Sequence, residues 1–479
     1  MQILQSGINS VKLGLKSLIL ATSLSSTYVM AGGIDGIWKA TFQVANEETL
    51  PVVIHIDQEN GDWTGVLDSP SQGKYGMEMS TLEIRSNSIA FEVEDLHIKY
   101  EGAYNNDVDL IFGTLTQRKS LPLNFRRAAD GTSDTPENRP QTPKLPFPYA
   151  VEEVSFKNKT ANITLSGTLT KPTSTVKATA VLISGSGPQD RDETLFGHKP
   201  FAVIADYLTR QGYAVLRYDD RGIGESTGDF FTATSADFAS DTSAAVDYLN
   251  SRSDLPKGKV GLIGHSEGGM IAPIVASNRE DIAFAILLAG PGVKIPQLLV
   301  DQWYKDRKFN GLDKQKLKKL RELDKEIFSL ISQLEEKETI SGEIHQLLLK
   351  SARLEGNQDD ELEAEVEQLK RQYSTPWFRY FLKFNPEPYL EQTKAPLLAL
   401  NGSLDFQVNA KMNLNNMHRV LSRTGHPDFQ TFELEQMNHL FQIANKGSSS
   451  EYAEIEESFS PKALKIMSSW LNERFGLNP

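Results

Sequence analysis

The sequence of 479 residues predicts an α/β protein with a mostly parallel sheet flanked by helices, preceded by a smaller antiparallel β domain. Two observations carry this prediction. From residue 150 onward, short apolar runs alternate with helical segments, as expected when strands are buried on both faces of a parallel sheet. From residue 34 to 127, the chain contains only short β-branched and aromatic segments separated by turns. A chain of this length has room for two or three domains.

The first 31 residues have the three parts of a secretory signal peptide. Lys12 and Lys16 precede an apolar run from Leu18 to Leu24, and small residues follow as far as Ala31. Because this run is too short to span a bilayer, we expect no permanent membrane anchor. The sequence therefore predicts export, with cleavage near Ala31 and a periplasmic or extracellular mature protein. The alternative is an amphipathic N-terminal tail.

Residues 32–127 are predicted to form the antiparallel β domain, as a small sandwich or barrel. Asn60-Gly61 between two of its segments is a strong hairpin signal. Residues 128–149 follow with five prolines, which neither a helix nor a central strand accommodates, so this segment is predicted to be a linker. The segments predicted as strands are GIWKATFQV, LPVVIHIDQ, DWTGVLD, STLEIRS, SIAFEVEDL, IKYEGAY and DVDLIFGTLTQ.

Residues 150–293 and 394–479 are predicted to form the catalytic domain. Its apolar runs are ATAVLISG, YAVLRYD, KVGLIGH, AFAILLAG, APLLALNG and DFQTFELE. Residues 294–393 interrupt this alternation of strands and helices. They contain charged segments in which Leu, Ile and Phe recur at three- and four-residue spacing, a pattern typical of amphipathic helices. We interpret this insertion as a lid over the strand ends, with a coiled-coil partner site as the alternative.

Composition excludes several functions. A formal net charge of -13 argues against nucleic-acid binding, because neutralising phosphates requires an excess of Lys and Arg. The chain has no Cys, and none of its eight His falls in an H-E-x-x-H pattern, so no metal site is predicted.

The pattern G-x-S-x-G, which is typical of a nucleophilic serine, occurs twice. Ser266 lies in GHSEG between the apolar run KVGLI and the helix start GGMIAPIVASN, which is the strand–turn–helix context that a nucleophile requires. Ser226 lies in GESTG, after DDRGIG and before GDFFTAT, where no helix begins. The sequence therefore predicts Ser266 as the nucleophile.

A serine hydroxyl is a poor nucleophile until a histidine accepts its proton, and a carboxylate must orient that histidine. In this arrangement of strands, the acid and the histidine are expected after later strands, in the chain order serine, acid, histidine. Asp405 follows the strand APLLALNG, and His439 follows the strand DFQTFEL. The predicted triad is Ser266, Asp405 and His439.

The oxyanion formed on attack needs two backbone N–H donors. One is predicted to be the N–H of Glu267, directly after the nucleophile. The other is expected from the loop LISGSGPQDRD, with Ser186 as the first choice and Gly187 as the second. Residues 190–192 of this loop are predicted to form an ion-paired scaffold, because their alternating signs satisfy one another, with binding of substrate charge as the alternative. Residues 220–221 are predicted to hold a turn.

The segments SGSGPQDRDE, RYDDRGIGEST, GHSEGG, NGSLDFQV and NHLFQ resemble the motifs of EstD-type bacterial serine esterases, which have the α/β-hydrolase fold and an N-terminal β domain. The resemblance covers most of the chain after the signal peptide. It implies a catalytic triad at Ser266, Asp405 and His439, and cofactor-independent hydrolysis of short-chain carboxylic esters. Ser184-Gly185 stands where many α/β-hydrolases have His-Gly.

The leading hypothesis is therefore an exported carboxylesterase that acts on a small-molecule ester. A serine peptidase or aminoacyl hydrolase is the first alternative, because the fold and triad do not separate ester from amide cleavage. A protein that binds glycans through Trp38, Trp63 and Tyr75 is the second, although aromatic residues in a small β domain are more often part of its core.

Overall fold

The structure is a computed structural model, and its described residues divide into two compact units, one formed by those up to residue 128 together with residues 195–197, and the other by those in 139–194 and 198–476. The predicted signal peptide and residues 129–138 of the predicted linker lie outside the described residues. The described residues are 34–43, 49–59, 62–69, 74–85, 88–105, 110–117, 119–128, 139–230, 232–309, 311–335, 338–356, 362–452 and 454–476.

The first unit is a single antiparallel sheet. Its order is β4-β3-β2-β1-β10-β8-β7-β6-β5, with β9 paired to β8. β4 and β5, at the two ends of this order, are consecutive in the chain. The Met79 amide after β4 donates to the Gly65 carbonyl, which continues the ladder between β3 and β4. The strands are β1 Gly36–Gln43, β2 Thr49–Glu59, β3 Asp62–Ser69, β4 Lys74–Glu78, β5 Thr81–Arg85, β6 Ser88–Val93, β7 Ile98–Asn105, β8 Leu110–Gln117, β9 Lys119–Pro122 and β10 Phe125–Arg127.

Aromatic side chains fill the core of this unit. Trp38 is fully buried, and its indole N–H donates to the Ile34 carbonyl at 2.8 Å. Trp63 packs against the same core, whereas Tyr75 is exposed. The arrangement of Trp38 and Trp63 gives no support to a stacking surface for sugars, because a ring in the core has no free face to offer.

The second unit contains an eight-stranded sheet in the order β11-β12-β14-β13-β15-β16-β17-β18. The strands from β14 to β18 run parallel, as the sequence predicts. β11 and β12 form an antiparallel edge that the sequence did not indicate. The strands are β11 Ala150–Asn158, β12 Ile163–Lys171, β13 Thr179–Ile183, β14 Ala214–Tyr218, β15 Val260–His265, β16 Ile282–Leu288, β17 Leu397–Gly402 and β18 Phe429–Leu434.

Helices cover both faces of this sheet. α1 (Pro200–Arg210) and α11 (Pro461–Phe475) share one apolar core with one face. α2 (Ser235–Ser251), α3 (Glu267–Ser277) and α10 (Ala410–Thr424) share another core with the opposite face. This doubly covered parallel sheet accounts for the nearly continuous apolar runs of its strands.

Six helices lie among the described residues of the insertion between β16 and β17. Ile327, Phe328 and Ile331 on its longest helix are fully buried in the same core as α2 and α3. The apolar stripe that suggested a coiled coil is therefore covered within the unit itself. None of the described helices has an apolar stretch of the length needed to cross a bilayer. The helices are α4 Ile295–Phe309, α5 Lys314–Gln333, α6 Gly342–Glu355, α7 Leu362–Tyr373, α8 Pro376–Lys383 and α9 Glu387–Gln392.

Candidate active site

Ser266 occupies a sharp turn between β15 and α3. Its backbone has φ 52° and ψ −114°, a conformation that residues with a side chain rarely adopt. The two glycines of the motif make the turn possible. A Cβ on Gly264 would lie 2.0 Å from the Gly268 carbonyl oxygen, and one on Gly268 would lie 2.0 Å from the Ile183 carbonyl oxygen. This is the strand–turn–helix geometry that the sequence predicts for a nucleophile.

Ser226, in the second G-x-S-x-G pattern, has a structural role in holding its loop. Its side chain is buried, and its hydroxyl donates to the Asp219 carbonyl at 2.8 Å. The same hydroxyl accepts from the Ser166 amide at 3.0 Å, which ties the loop to β12. Both partners of the Ser226 hydroxyl are backbone groups, so this hydroxyl is held in place within the loop. The geometry therefore favours Ser266 as the nucleophile.

Asp405 and His439 form a hydrogen-bonded pair at the carboxyl ends of β17 and β18. Asp405 Oδ2 lies 2.8 Å from His439 Nδ1, and both side chains are buried. Asp405 Oδ1 accepts from the amides of Gln407 and Val408, each at 2.8 Å, so the carboxylate is fixed in place. A carboxylate facing Nδ1 favours the tautomer that leaves Nε2 able to accept a proton.

The residue that precedes Ser266 contacts the loop of His439. His265 Nε2 lies 3.0 Å from the His439 carbonyl oxygen, and the two imidazole rings are 4.9 Å apart between centroids. The structure thus brings the end of β15 against the predicted general base, although position 439 is 173 residues downstream of position 266 by their numbering.

Glu193 is a residue of this site that the sequence analysis missed. Its Oε1 accepts from the Gly185 amide at 2.7 Å and lies 2.9 Å from His265 Nδ1. Both ring nitrogens of His265 therefore face oxygen acceptors, which only the protonated ring can satisfy. Burial alone would lower the pKa of His265, but the Glu193 carboxylate raises this pKa above its ordinary value. No local pattern in the sequence joins two residues 72 positions apart.

The predicted oxyanion donors lie beside the nucleophile. Glu267 is the first residue of α3, and N–H groups in the first turn of a helix have no partner within the helix. The loop after β13 passes close to Ser266, because a Cβ on Gly185 would lie 3.3 Å from Ser266 Cβ. Glu193 engages the amide of Gly185, so Ser186 and Gly187 remain the candidates from this loop, as predicted.

Two charged residues of this loop form ion pairs with other parts of the unit. Arg191 bonds Asp219 through Nε at 3.0 Å and Nη2 at 2.6 Å, and Asp192 pairs with Arg217. Arg221 bonds Asp241 at 2.7 and 2.9 Å. Residues 190–192 therefore do not satisfy one another as their alternating signs suggested, and Asp190 and Asp220 accept hydrogen bonds from backbone amides instead.

The fold and site define an α/β-hydrolase. Residues 199–442 match the family model Hydrolase_4, described as "Serine aminopeptidase, S33", which is just over half of the chain and includes Ser266, Asp405 and His439. The chain belongs to this family. Its membership confirms the predicted fold and the prediction that the protein is an enzyme of the serine hydrolase class.

Among characterised proteins, the chain is similar to Esterase EstD of Thermotoga maritima, with 32% identity over 158 residues. This confirms the predicted resemblance, over a narrower region than expected: 33% of this chain and 38% of the length of EstD. Two solved structures are also similar. An esterase of Pyrococcus furiosus has 15% identity and a TM-score of 0.40, covering 68% of this chain and 92% of its own. Est1E of Butyrivibrio proteoclasticus with bound ferulic acid has 16% identity and a TM-score of 0.39, covering 67% and 96%.

Proposed function

We propose that this protein is a serine carboxylesterase that hydrolyses short-chain carboxylic esters through an acyl-enzyme on Ser266. The observation that carries the proposal is the strained turn at Ser266 combined with the buried pair of Asp405 and His439. The similarity to EstD, an esterase, supports an ester as the substrate. In this proposal, the substrate is a small molecule and no cofactor takes part.

In the first half of the reaction, Ser266 Oγ attacks the ester carbonyl carbon while His439 Nε2 takes the hydroxyl proton. Asp405 stabilises the imidazolium that forms. The negative charge on the carbonyl oxygen is held by the N–H groups of Glu267 and Ser186, or Gly187 in place of Ser186. When this intermediate collapses, the bond to the alcohol oxygen breaks, and His439 returns the proton to the departing alcohol.

In the second half, water attacks the acyl-enzyme. His439 takes a proton from the water as its oxygen bonds to the acyl carbon, and the same donors hold the second oxyanion. Collapse releases the carboxylic acid and returns the proton to Ser266 Oγ. The enzyme therefore ends each cycle unchanged.

The two G-x-S-x-G motifs provide a matched test. We expect Ser266→Ala to lower kcat on p-nitrophenyl acetate by at least about 10³-fold, because it removes the nucleophile. The variant should also fail to react with a fluorophosphonate probe. Ser226→Ala, the control, should keep its kcat within a few-fold and still react with the probe. Loss of activity in Ser226→Ala with full activity in Ser266→Ala would identify Ser226 as the nucleophile and contradict the proposal.

An aminopeptidase is the second candidate, because the family to which the chain belongs is described by that activity. The same triad would then act on an amide, whose leaving group is poorer and must be protonated as it departs. A comparison of kcat/KM on p-nitrophenyl acetate, longer p-nitrophenyl esters and aminoacyl anilides separates the two. We expect the acetate to be the best substrate, and a preference for the anilides would favour the peptidase.

We further propose that the protein is exported, to the periplasm or outside the cell. The support is the sequence pattern of the first 31 residues: two lysines, a short apolar run and small residues at the cleavage position. In this proposal, no permanent anchor holds the mature protein to the membrane.

A further inference from the structure

The side chain of Glu267 is buried directly behind the nucleophile. It is 2% exposed, and none of the ion pairs among the described residues gives it a cationic partner. Its position at the start of α3 is favourable for a negative charge, because a helix N-terminus carries a partial positive charge. A carboxylate in this place depends on hydrogen bonds for the rest of its stabilisation.

Two neutral side-chain donors from two different elements provide hydrogen bonds. Ser235, the first residue of α2, donates its hydroxyl to Glu267 Oε1 at 2.5 Å. The second donor is the indole N–H of Trp377 on α8, at 2.9 Å from Oε1 and 3.1 Å from Oε2.

Trp377 belongs to the helical insertion and is well fixed within it. Its ring stacks on that of Phe381, one turn along α8, at 4.9 Å between centroids and 13° between planes. Phe381 is itself buried in the core that α8 shares with α2 and α3. Movement of α8 would therefore move the indole N–H relative to Glu267.

Glu267 thus connects the insertion to the proposed oxyanion hole, because the backbone N–H of Glu267 is one of its two proposed donors. We propose that Trp377 is a positioning residue through which α8 of the insertion holds the oxyanion hole in its active geometry. This inference rests on the proposed esterase function.

The physical reason is the distance dependence of oxyanion stabilisation. Backbone donors act on the transition state only when they lie about 2.7–3.1 Å from the oxyanion. Without the indole N–H, the Glu267 carboxylate keeps the Ser235 hydroxyl as its side-chain donor and is free to shift toward it, carrying the first residue of α3 with it. The expected effect is on the transition state and not on substrate binding, so it appears in kcat.

The test is Trp377→Phe, which keeps an aromatic ring on Phe381 and removes the donor. We expect kcat on p-nitrophenyl acetate to fall about tenfold, with KM within about twofold of wild type. Binding of an alkylboronic acid, which forms a tetrahedral adduct with the serine, should weaken by a similar factor. The Tm should stay close to that of the control.

The control is Trp303→Phe, on α4 of the same insertion, whose ring packs on Phe328 at 4.9 Å. Among the described residues, the side-chain donors to Glu267 are Ser235 and Trp377 and not Trp303. It should have wild-type kcat. Glu267→Gln gives a second route to the same result, since it keeps the shape of the side chain and removes its charge. We expect it to lower kcat with unchanged KM, and the double variant with Trp377→Phe to lose less than the product of the two single effects.

Wild-type kcat and boronate affinity in Trp377→Phe would overturn this inference, as would a loss confined to KM. Both outcomes leave the proposed function intact if Ser266→Ala is inactive. Full activity in Ser266→Ala would instead refute the proposed function, so the two failures are distinguishable.

Discussion

His265, which precedes the predicted nucleophile, is buried with an oxygen acceptor at each of its ring nitrogens. The groups that face it are Glu193 and the carbonyl of His439, with the Asp405 carboxylate acting at longer range. Because the pKa of His265 is raised above its ordinary value of 6.5, the folded state binds this proton more tightly than the unfolded chain does. The resulting stabilisation is fully present below pH 6.5, and it is lost as the pH rises through the folded-state pKa.

We therefore expect His265→Gln to weaken the decrease in the free energy of unfolding that wild type shows as the pH rises. In wild type, the free energy of unfolding should decrease from pH 6 to alkaline pH, and the variant should show a shallower decrease. Urea unfolding at a series of pH values measures the slope. His418→Gln on α10, where the side chain is exposed, is the control and should follow wild type. A slope in His265→Gln equal to that of wild type would contradict the prediction.

At the scale of elements, the junction of β15 and α3 has no space for a side chain at its glycines. The atoms that a Cβ on Gly268 would meet are backbone atoms of Ile183 and Ser184 at the end of β13. Backbone atoms cannot move aside as the end of a flexible side chain can. The end of β13, the loop that follows it and α3 can therefore lie this close together only because residue 268 has no side chain.

Gly268→Ala is expected to destabilise the protein by roughly 3 kcal/mol or more, at the upper end of the usual cost of overpacking. Its kcat should fall as well, because the oxyanion loop follows Ile183 directly. Gly342→Ala is the matched control, since a Cβ there meets no atom within 4 Å and the residue begins α6. That change should be neutral or stabilising by up to about 1 kcal/mol. Denaturant midpoints of the two variants would test the contrast, and equal midpoints would contradict it.

At the scale of the whole molecule, the sequence predicts the elements better than the contacts between them. The runs before Ser266 and Asp405 form β15 and β17, because strands buried on both faces keep an uninterrupted apolar sequence. The short strands β4, β9 and β10 were not predicted, since three to five residues carry too little alternation to identify a strand.

The same limit applies to the site. Ser266, Asp405 and His439 could be selected because each follows a strand, which is a local signal. Glu193 and Trp377 could not, because their partners His265 and Glu267 lie 72 and 110 positions away. Nothing in the local pattern around either residue indicates such a pairing.

Export is a property of the whole chain and gives the last prediction. If the proposal holds, the mature protein recovered outside the cytoplasm should begin at Gly32, as N-terminal sequencing or intact mass would show. Leu20→Arg places a charge within the apolar run and should retain the uncleaved chain in the cytoplasm. Gln5→Arg adds the same charge before that run and should leave processing unchanged. Normal processing of Leu20→Arg would argue against a signal peptide.

The order of the strands has a consequence for biosynthesis. β16 pairs with β17 only after the six-helix insertion between them has been translated, and His439 lies beyond both. In the proposed mechanism, a nascent chain that already contains Ser266 has no general base until position 439 has been translated. A product truncated anywhere before that position is then expected to be inert, and hydrolysis of an ester would report translation at least that far.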